Sequence, residues 1–145
     1  MIIPDVNVLV RAHRRDTDGH DAVHEWLDRA LGGPEEIGLV DVVLSGFVRI
    51  VTNSRIFDPP SSTSSAVGFV DALIGSPATV WVPTGEAVWR RFAQIARSDR
   101  QIRGDLVPDA YIAACALANR SVVATGDHGF ARFAGLRRLD PLDGY

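Results

Sequence analysis

Three aspartates stand where apolar runs of the sequence meet turns or helix starts. Asp5 follows the run of residues 1–4, Asp109 opens a long apolar helical stretch, and Asp127 follows residues 121–126. If the runs are parallel strands, their ends and the helix starts after them share one edge of a sheet. Three carboxylates at one edge repel one another unless a cation joins them, and hard cations such as Mg²⁺ or Mn²⁺ prefer oxygen ligands. The sequence therefore predicts one metal site formed by the two ends of the chain.

The elements that must position these acids show as short apolar runs alternating with helical stripes. Strands are predicted at residues 1–5, 36–40, 79–82, 121–124 and 136–139. Apolar residues recur at helical spacing in residues 6–13, 23–31, 43–51, 67–74, 88–96 and 109–119. This alternation predicts an α/β fold with a central, mainly parallel sheet of about four to five strands.

Particular residues predict where these elements begin and end. Pro4 cannot donate to a strand ladder, so it should be the last residue of the first strand. Asp41 and Thr84 are predicted to cap the helices that follow the second and third strands. The Ser/Thr run of residues 61–65 is predicted to cap another helix, and residues 97–108 are predicted to form a polar loop.

Length and composition indicate a single domain spanning residues 1–145. A chain of 145 residues with 46% hydrophobic residues is long enough to bury a substantial core. No apolar run approaches the roughly 18 residues of a membrane span, and the N-terminus lacks a signal-peptide pattern. We therefore expect a cytoplasmic protein with no membrane partner. Cys115 lies in an apolar helical stretch and is expected to be a buried thiol.

The charge pattern excludes some mechanisms. The net charge is −3, and all fifteen basic residues are Arg. The absence of Lys excludes P-loop NTPases and Schiff-base enzymes. Arg also binds phosphate in a bidentate manner, so an RNA partner stays possible. Two groups of Arg near the acids could face phosphates, although exposed surface is the simpler interpretation: Arg11, Arg14 and Arg15, and Arg97, Arg100 and Arg103.

Each candidate residue also has a purely structural interpretation. Asp5 and Asp109 could simply cap helices, and Asp127 could be a turn residue. His20 and His24 stand four residues apart as a possible metal pair, but the absence of a third ligand favours an exposed helix face. His128 is most simply interpreted as a turn residue. The three tryptophans are most simply interpreted as core residues: Trp26, Trp81 and Trp89.

An ordered set of segments runs across almost the whole chain: residues 5–10, 47–57, 106–114, 123–136 and 140–142. This set resembles PIN-domain proteins, and most closely the VapC-type toxins of bacterial toxin–antitoxin pairs. The resemblance implies a compact α/β/α sandwich. It also implies an endoribonuclease that depends on Mg²⁺, with Mn²⁺ as a possible substitute.

The resemblance carries roles onto named residues. Asp5, Asp109 and Asp127 match the family acids that bind the metal and perform catalysis, and Asn7 and Thr125 match small polar residues that support them. One departure is that Gly46 stands where the family often has Glu. Asp41 lies five residues earlier, about 140° around a helix, and so points elsewhere. Asp105 is the better spare carboxylate, and occupation of a second metal site is in doubt.

The expected reaction is metal-assisted hydrolysis of RNA, leaving a 5′-phosphate and a 3′-hydroxyl. Transfer RNA and ribosomal RNA loops are both reasonable substrates, because unpaired bases in loops can be read. The resemblance implies a cognate antitoxin of the VapB type, a homodimer and a toxin–antitoxin hetero-oligomer. The sequence does not identify the RNA or the antitoxin.

Two alternatives remain. Gly46 in place of an acid could mark a non-catalytic PIN-like module that acts by antitoxin binding and repression. A phosphatase of the haloacid-dehalogenase type is disfavoured, because it needs a second Asp at position 7, where this chain has Asn7, and a Lys.

Overall fold

Five short parallel strands form the sheet. The structure is a computed structural model that describes residues 1–143. Within those residues the strands are β1 Ile2–Pro4, β2 Ile37–Leu39, β3 Thr79–Trp81, β4 Val122–Ala124 and β5 Arg137–Leu139. They pair in the order β3-β2-β1-β4-β5, and every neighbouring pair is parallel. The predicted α/β fold with a mainly parallel sheet is confirmed.

Helices cover both faces of this sheet. In the described part of the chain they are α1 Val6–His13, α2 His20–Leu31, α3 Asp41–Val51, α4 Thr63–Ile74, α5 Glu86–Ser98 and α6 Leu106–Ala118, with a short 3₁₀ helix at His128–Arg132. The chain moves from β1 out to β3 and then crosses back to β4. Right-handed crossovers therefore put α1–α4 on one face and α5 and α6 on the other. The packing agrees, since α1 contacts α2 and α3 while α5 contacts α6. The result is an α/β/α sandwich.

The direction of the chain reverses between β1 and β4. These two strands are neighbours, and Pro4 pairs with Ala124 at their ends. Pro4 is the last residue of β1, as predicted, and the Asp5 N–H then donates to the Ala124 carbonyl at 3.0 Å. The residues after β1 and β4 therefore emerge side by side. In open α/β sheets such a reversal creates the crevice in which sites are built.

The core lies between the sheet and the two helical layers. Ile3, Val123 and Cys115 are fully buried, and burial raises the pKa of the Cys115 thiol to about 11. No helix within residues 1–143 has both the length and the apolar character needed to cross a bilayer.

The three tryptophans do not share one environment. Trp26 is in the core, as expected, but Trp81 and Trp89 are 56% and 60% exposed. The prediction of a core position is wrong for these two. Trp81 ends β3, the edge strand of the sheet, and Trp89 follows Val88, the buried residue of amphipathic α5.

Two helix starts differ from the prediction by one residue. Val40, not Asp41, is the N-cap of α3, and Asp41 is the first helical residue. Gly85, not Thr84, precedes α5, with φ of 113°, a conformation that glycine adopts without steric cost. By contrast, Ser62 caps α4 through a hydrogen bond from the Ser65 N–H, as the Ser/Thr run predicted.

The polar loop before Asp109 is shorter than predicted. Helix α5 continues to Ser98, and α6 begins at Leu106, three residues before the predicted start. Pro108 lies within the first turn of α6, where a missing N–H leaves no helical hydrogen bond unmade. Asp109 therefore does not open the helix; it ends the first turn.

Candidate active site

Asp5 is a buried carboxylate at the junction of β1 and α1. It is the N-cap of α1, and its Oδ1 accepts the Val8 N–H at 2.9 Å. The side chain is only 3% exposed. Burial raises the pKa of Asp5, and hydrogen bonds from Thr125 and the backbone partly oppose this effect. Asp5 therefore caps α1 as predicted, and the pKa of the same carboxyl group at the crevice is raised.

Thr125 links the ends of the two central strands. It is 4% exposed, and its hydroxyl donates to Asp5 Oδ2. The same oxygen accepts the Asp127 N–H at 3.0 Å, so its single proton is directed to Asp5. This hydroxyl fixes the Asp5 carboxylate and orients the backbone that leads to Asp127.

Asp127 is exposed and caps the 3₁₀ helix. Its Oδ1 accepts the Gly129 N–H at 2.7 Å. Its charge raises the pKa of Asp5 and of Asp109. The turn interpretation therefore holds, and the carboxylate also acts electrostatically on the other two acids.

Asp109 is the least compensated of the three acids. It is half-buried, and burial, followed by the charges of Asp127, Asp5 and Asp105, raises its pKa to about 6. Within residues 1–143 its carboxylate has neither a hydrogen-bond donor nor an ion-pair partner. The structure thus brings the charges of the three predicted acids together from β1, α6 and the end of β4.

The two remaining predicted supporting residues lie at the rim. Asn7 is exposed in the first turn of α1 and lines a cavity of about 220 Å³ with Asp127. Asp105 is exposed at the N-cap of α6 without capping it through its side chain. Its charge acts on Asp109. Both residues are near the acids, and the Asn7 backbone N–H acts on the Asp5 carboxylate, but among the described residues neither side chain hydrogen-bonds to Asp5 or Thr125.

The oxygen ligands available suit a hard divalent cation. Among residues 1–143, no three His, Cys, Asp or Glu side chains form a preformed ligand cluster. Mg²⁺, however, is usually held by one or two carboxylates and keeps several waters. Asp5 retains free lone pairs on both oxygens, and the charge of Asp109 has no cationic partner among the described residues. These carboxylates fit such an ion by their chemistry and charge.

Gly46 and Asp41 occupy different surroundings, as the helix geometry predicted. A Cβ on Gly46 would lie 3.3 Å from Val6 Cγ2, so α3 approaches α1 closely beside Asp5. Burial raises the pKa of Tyr111 and Cys115 on α6, and the charge of Asp41 adds to both effects, so Asp41 lies toward α6.

His20 and His24 fasten α2 to α1. Their Nδ1 atoms donate to the carbonyls of Arg11 at 2.7 Å and Ala12 at 3.0 Å, and the two rings stack with centroids 5.4 Å apart. A carbonyl can only accept, which fixes each Nδ1 as protonated. The histidine pair thus has a structural role, and His128 is an exposed residue of the 3₁₀ helix.

The sequence pattern does not reveal that Arg11 and Asp140 both lie beside Gly126, near the acids. An added Cβ on Gly126 would lie 3.3 Å from Arg11 Nη1 and 3.6 Å from both Asp140 carboxylate oxygens. Both side chains line the same cavity as Asn7 and Asp127. Arg11 stands one turn after Asn7 on α1, and this spacing is the only signal of the arrangement in the sequence.

The fold and the acids together define a small α/β/α domain with an acidic site at the switch point of a parallel sheet. The family model described as PIN domain matches residues 2–136. The chain belongs to the PIN-domain family.

Several curated relatives of the chain are VapC ribonucleases. It is 45% identical over 144 residues to Ribonuclease VapC43 of Mycobacterium tuberculosis, covering 99% of this chain and 97% of that protein. It is 35% identical over 141 residues to Ribonuclease VapC31 of the same organism, covering 97% and 99%. Among solved structures, VapBC2 from Rickettsia felis bound to a promoter DNA fragment has a TM-score of 0.70 at 16% identity, covering 97% of this chain and 98% of that chain. This last likeness supports the fold.

Proposed function

We propose that the protein is a VapC-type ribonuclease toxin that hydrolyses RNA with a divalent metal, Mg²⁺ or in its place Mn²⁺. The family membership and the ribonuclease names of its relatives support the reaction class. The observation that carries the proposal is Asp109, a half-buried carboxylate whose neighbours Asp127, Asp5 and Asp105 all add negative charge. Such a cluster favours binding of a cation over free solvent.

The proposed roles follow the positions of the side chains. Asp5, Asp109 and Asp127 would bind the metal and form the catalytic set. Asn7, Thr125 and Asp105 would support them. The ion would lower the pKa of a bound water and stabilise charge on the attacked phosphate.

The protein's own groups fix the geometry for this chemistry. The Val8 N–H and the Thr125 hydroxyl hold one oxygen each of Asp5, and each oxygen keeps a further lone pair for a ligand. Asp127 extends from a backbone held by Thr125 and is exposed to solvent, so it can orient an attacking water. The proposed products are a 5′-phosphate and a 3′-hydroxyl.

Cleavage of total cellular RNA by the purified, antitoxin-free protein tests the proposal. The reaction is run with Mg²⁺, with Mn²⁺ and with EDTA, for wild type and for Asp5→Asn and Asp109→Asn. Asp71→Asn is the matched control, because Asp71 is an exposed carboxylate on α4. We expect discrete fragments that disappear with EDTA and with both site substitutions but persist with Asp71→Asn.

Three outcomes would contradict the proposal. Fragments ending in a 2′,3′-cyclic phosphate would exclude the hydrolytic mechanism. Cleavage that survives EDTA would exclude the metal. No cleavage with either ion, by protein that circular dichroism shows to be folded, would favour the non-catalytic module. Sequencing of the fragment ends would show whether transfer RNA or a ribosomal RNA loop is cut.

The proposal extends to partners. We propose that a cognate VapB-type antitoxin inhibits the protein in a hetero-oligomer, that the toxin itself is a homodimer, and that residues 1–145 act as one domain in the cytoplasm. Co-expression with the cognate antitoxin should abolish the cleavage, and light scattering of each purified species would give its stoichiometry. A monomeric toxin or undiminished cleavage in the complex would contradict these assignments.

A further inference from the structure

Arg11 is a cation without an anionic partner at the edge of the acidic site. The side chain is half-buried on α1. Within residues 1–143 its guanidinium makes no hydrogen bond and no ion pair within 4 Å. Its five N–H donors therefore remain available for a ligand.

The guanidinium is directed into a defined cavity. The cavity of about 220 Å³ is lined by Arg11, Asn7, Asp127, Gly126 and Asp140, among others. Gly126 provides the floor, because a side chain there would begin 3.3 Å from Arg11 Nη1. The volume suits a phosphate group and part of a sugar, and Asp127 joins this cavity to the acidic site.

The backbone of Arg11 is held firmly. Its carbonyl accepts the His20 Nδ1–H at 2.7 Å, which ties α1 to α2 at this residue. Because the backbone is already fixed, binding a ligand would restrict only the rotamers of the Arg11 side chain. A cation on a fixed helix is well suited to position a ligand.

We infer that Arg11 binds a backbone phosphate of the RNA next to the cleaved one, a substrate-binding role that rests on the proposed function. Asp5, Asp109 and Asp127 repel the RNA backbone, and a guanidinium one helical turn from Asn7 offsets that repulsion. Guanidinium and phosphate pair through two parallel hydrogen bonds. Asp140 lines the same cavity and carries a negative charge, so the phosphate would have to bind the guanidinium through donors that do not face Asp140.

The test measures binding of a 5′-fluorescein-labelled, single-stranded RNA 12-mer of mixed sequence by fluorescence anisotropy. EDTA prevents metal-dependent cleavage, and KCl is varied. Arg11→Gln should weaken binding about tenfold at low salt. It should also reduce the slope of log Kd against log salt concentration by about 0.7, the value for one phosphate contact on a single strand.

Matched variants separate a local contact from a change of net charge. Arg29→Gln removes the same charge from an exposed position in the last turn of α2 and should change neither quantity. Arg11→Lys should retain the salt slope and lose part of the affinity, because ammonium cannot form the bidentate pair. Gly126→Ala should reproduce part of the Arg11→Gln effect, because its methyl group would displace the guanidinium.

Defined results would overturn the inference. Equal losses for Arg11→Gln and Arg29→Gln would mean that only net charge matters. A lower Tm for Arg11→Gln with unchanged RNA binding would make Arg11 a structural partner of Asp140. If the wild-type protein does not bind the RNA, an RNA phosphate is not the ligand of Arg11 and the inference fails. Wild-type cleavage in Mg²⁺ is scored separately, so the proposed function and the role of Arg11 can fail independently.

Discussion

Replacing Asp109 by Asn should stabilise the metal-free protein while abolishing the proposed activity. Burial and three neighbouring carboxylates raise the pKa of Asp109 to about 6 from an ordinary value of 3.8. A pKa raised by about two corresponds to roughly 3 kcal/mol of unfavourable free energy for the ionised form. Because the side chain is half-buried, solvent screening reduces the expected effect to about 1–2 kcal/mol. Asn has nearly the same shape and no charge.

The pH dependence has a definite sign. Since the folded-state pKa of Asp109 lies above the unfolded value, the folded protein binds this proton more tightly than the unfolded chain does. Its favourable contribution is fully present below about pH 4 and is lost as the pH rises through about 6. The advantage of Asp109→Asn over wild type should therefore grow across this window and stay constant above it.

Thermal unfolding followed by far-UV circular dichroism measures the effect. Wild type, Asp109→Asn and the exposed control Asp71→Asn are compared in EDTA from about pH 4 to about pH 8. We expect the Tm of Asp109→Asn to exceed that of wild type by about 3–6 °C at neutral pH. Asp71→Asn should follow wild type throughout.

Addition of Mn²⁺ should reverse the order. An ion that binds only the folded state adds stability according to its concentration relative to Kd, and the variant lacks one of the proposed ligands. Wild type should therefore gain more than Asp109→Asn. An Asp109→Asn protein that is no more stable than wild type in EDTA at neutral pH would refute the claim that the carboxylates confront one another.

Four further substitutions test contacts of the site by urea denaturation. Thr125→Val should lower the free energy of unfolding by about 2 kcal/mol, because the buried Asp5 loses its hydroxyl donor, whereas Thr125→Ser should retain most of it. His20→Ala should lower the free energy of unfolding by about 1 kcal/mol, because the Arg11 carbonyl loses its donor. An unchanged free energy of unfolding would mean that this hydrogen bond contributes little to stability. Gly46→Ala should be neutral within about 1 kcal/mol, since the gain in helix propensity is offset by the close approach of α1.

The central strands β1, β2 and β4 were predictable because buried parallel strands read as continuous apolar runs. Each of the five predicted runs contains an observed strand, and Pro4 ends β1 as its missing N–H requires. Helix starts were harder to predict where the backbone conformation, rather than a capping side chain, determines which residue begins the helix. Gly85 replaces Thr84 as the N-cap through a positive φ, which favours glycine over the better hydrogen-bonding residue. At Pro108, a proline within the first turn looks the same in sequence as one that ends a loop.

The positions of Asp5 and Asp127 could be predicted, because strand ends in a parallel sheet share an edge. The electrostatic interactions among the acids could not be predicted from the sequence. The raised pKa of Asp109 depends on burial and on carboxylates from other elements, which no local pattern contains. The surroundings of the Arg11 guanidinium are formed by Gly126 and Asp140, which lie more than a hundred residues away in the sequence. From the sequence alone, Arg11 could be recognised only as an Arg near the acids.

The acids and Arg11 together imply that metal and RNA favour each other's binding. On the proposed function, a cation held by Asp5 and Asp109 would reduce the repulsion that an RNA phosphate meets there, and a bound phosphate would in turn favour binding of the cation. Such coupling is reciprocal by thermodynamic necessity. In the anisotropy titration, replacing EDTA by Ca²⁺ should therefore tighten RNA binding by wild type and do so much less for Asp109→Asn. Equal Kd values for wild type with and without the ion would contradict this coupling, because the carboxylates would then not oppose the phosphate that Arg11 is inferred to bind.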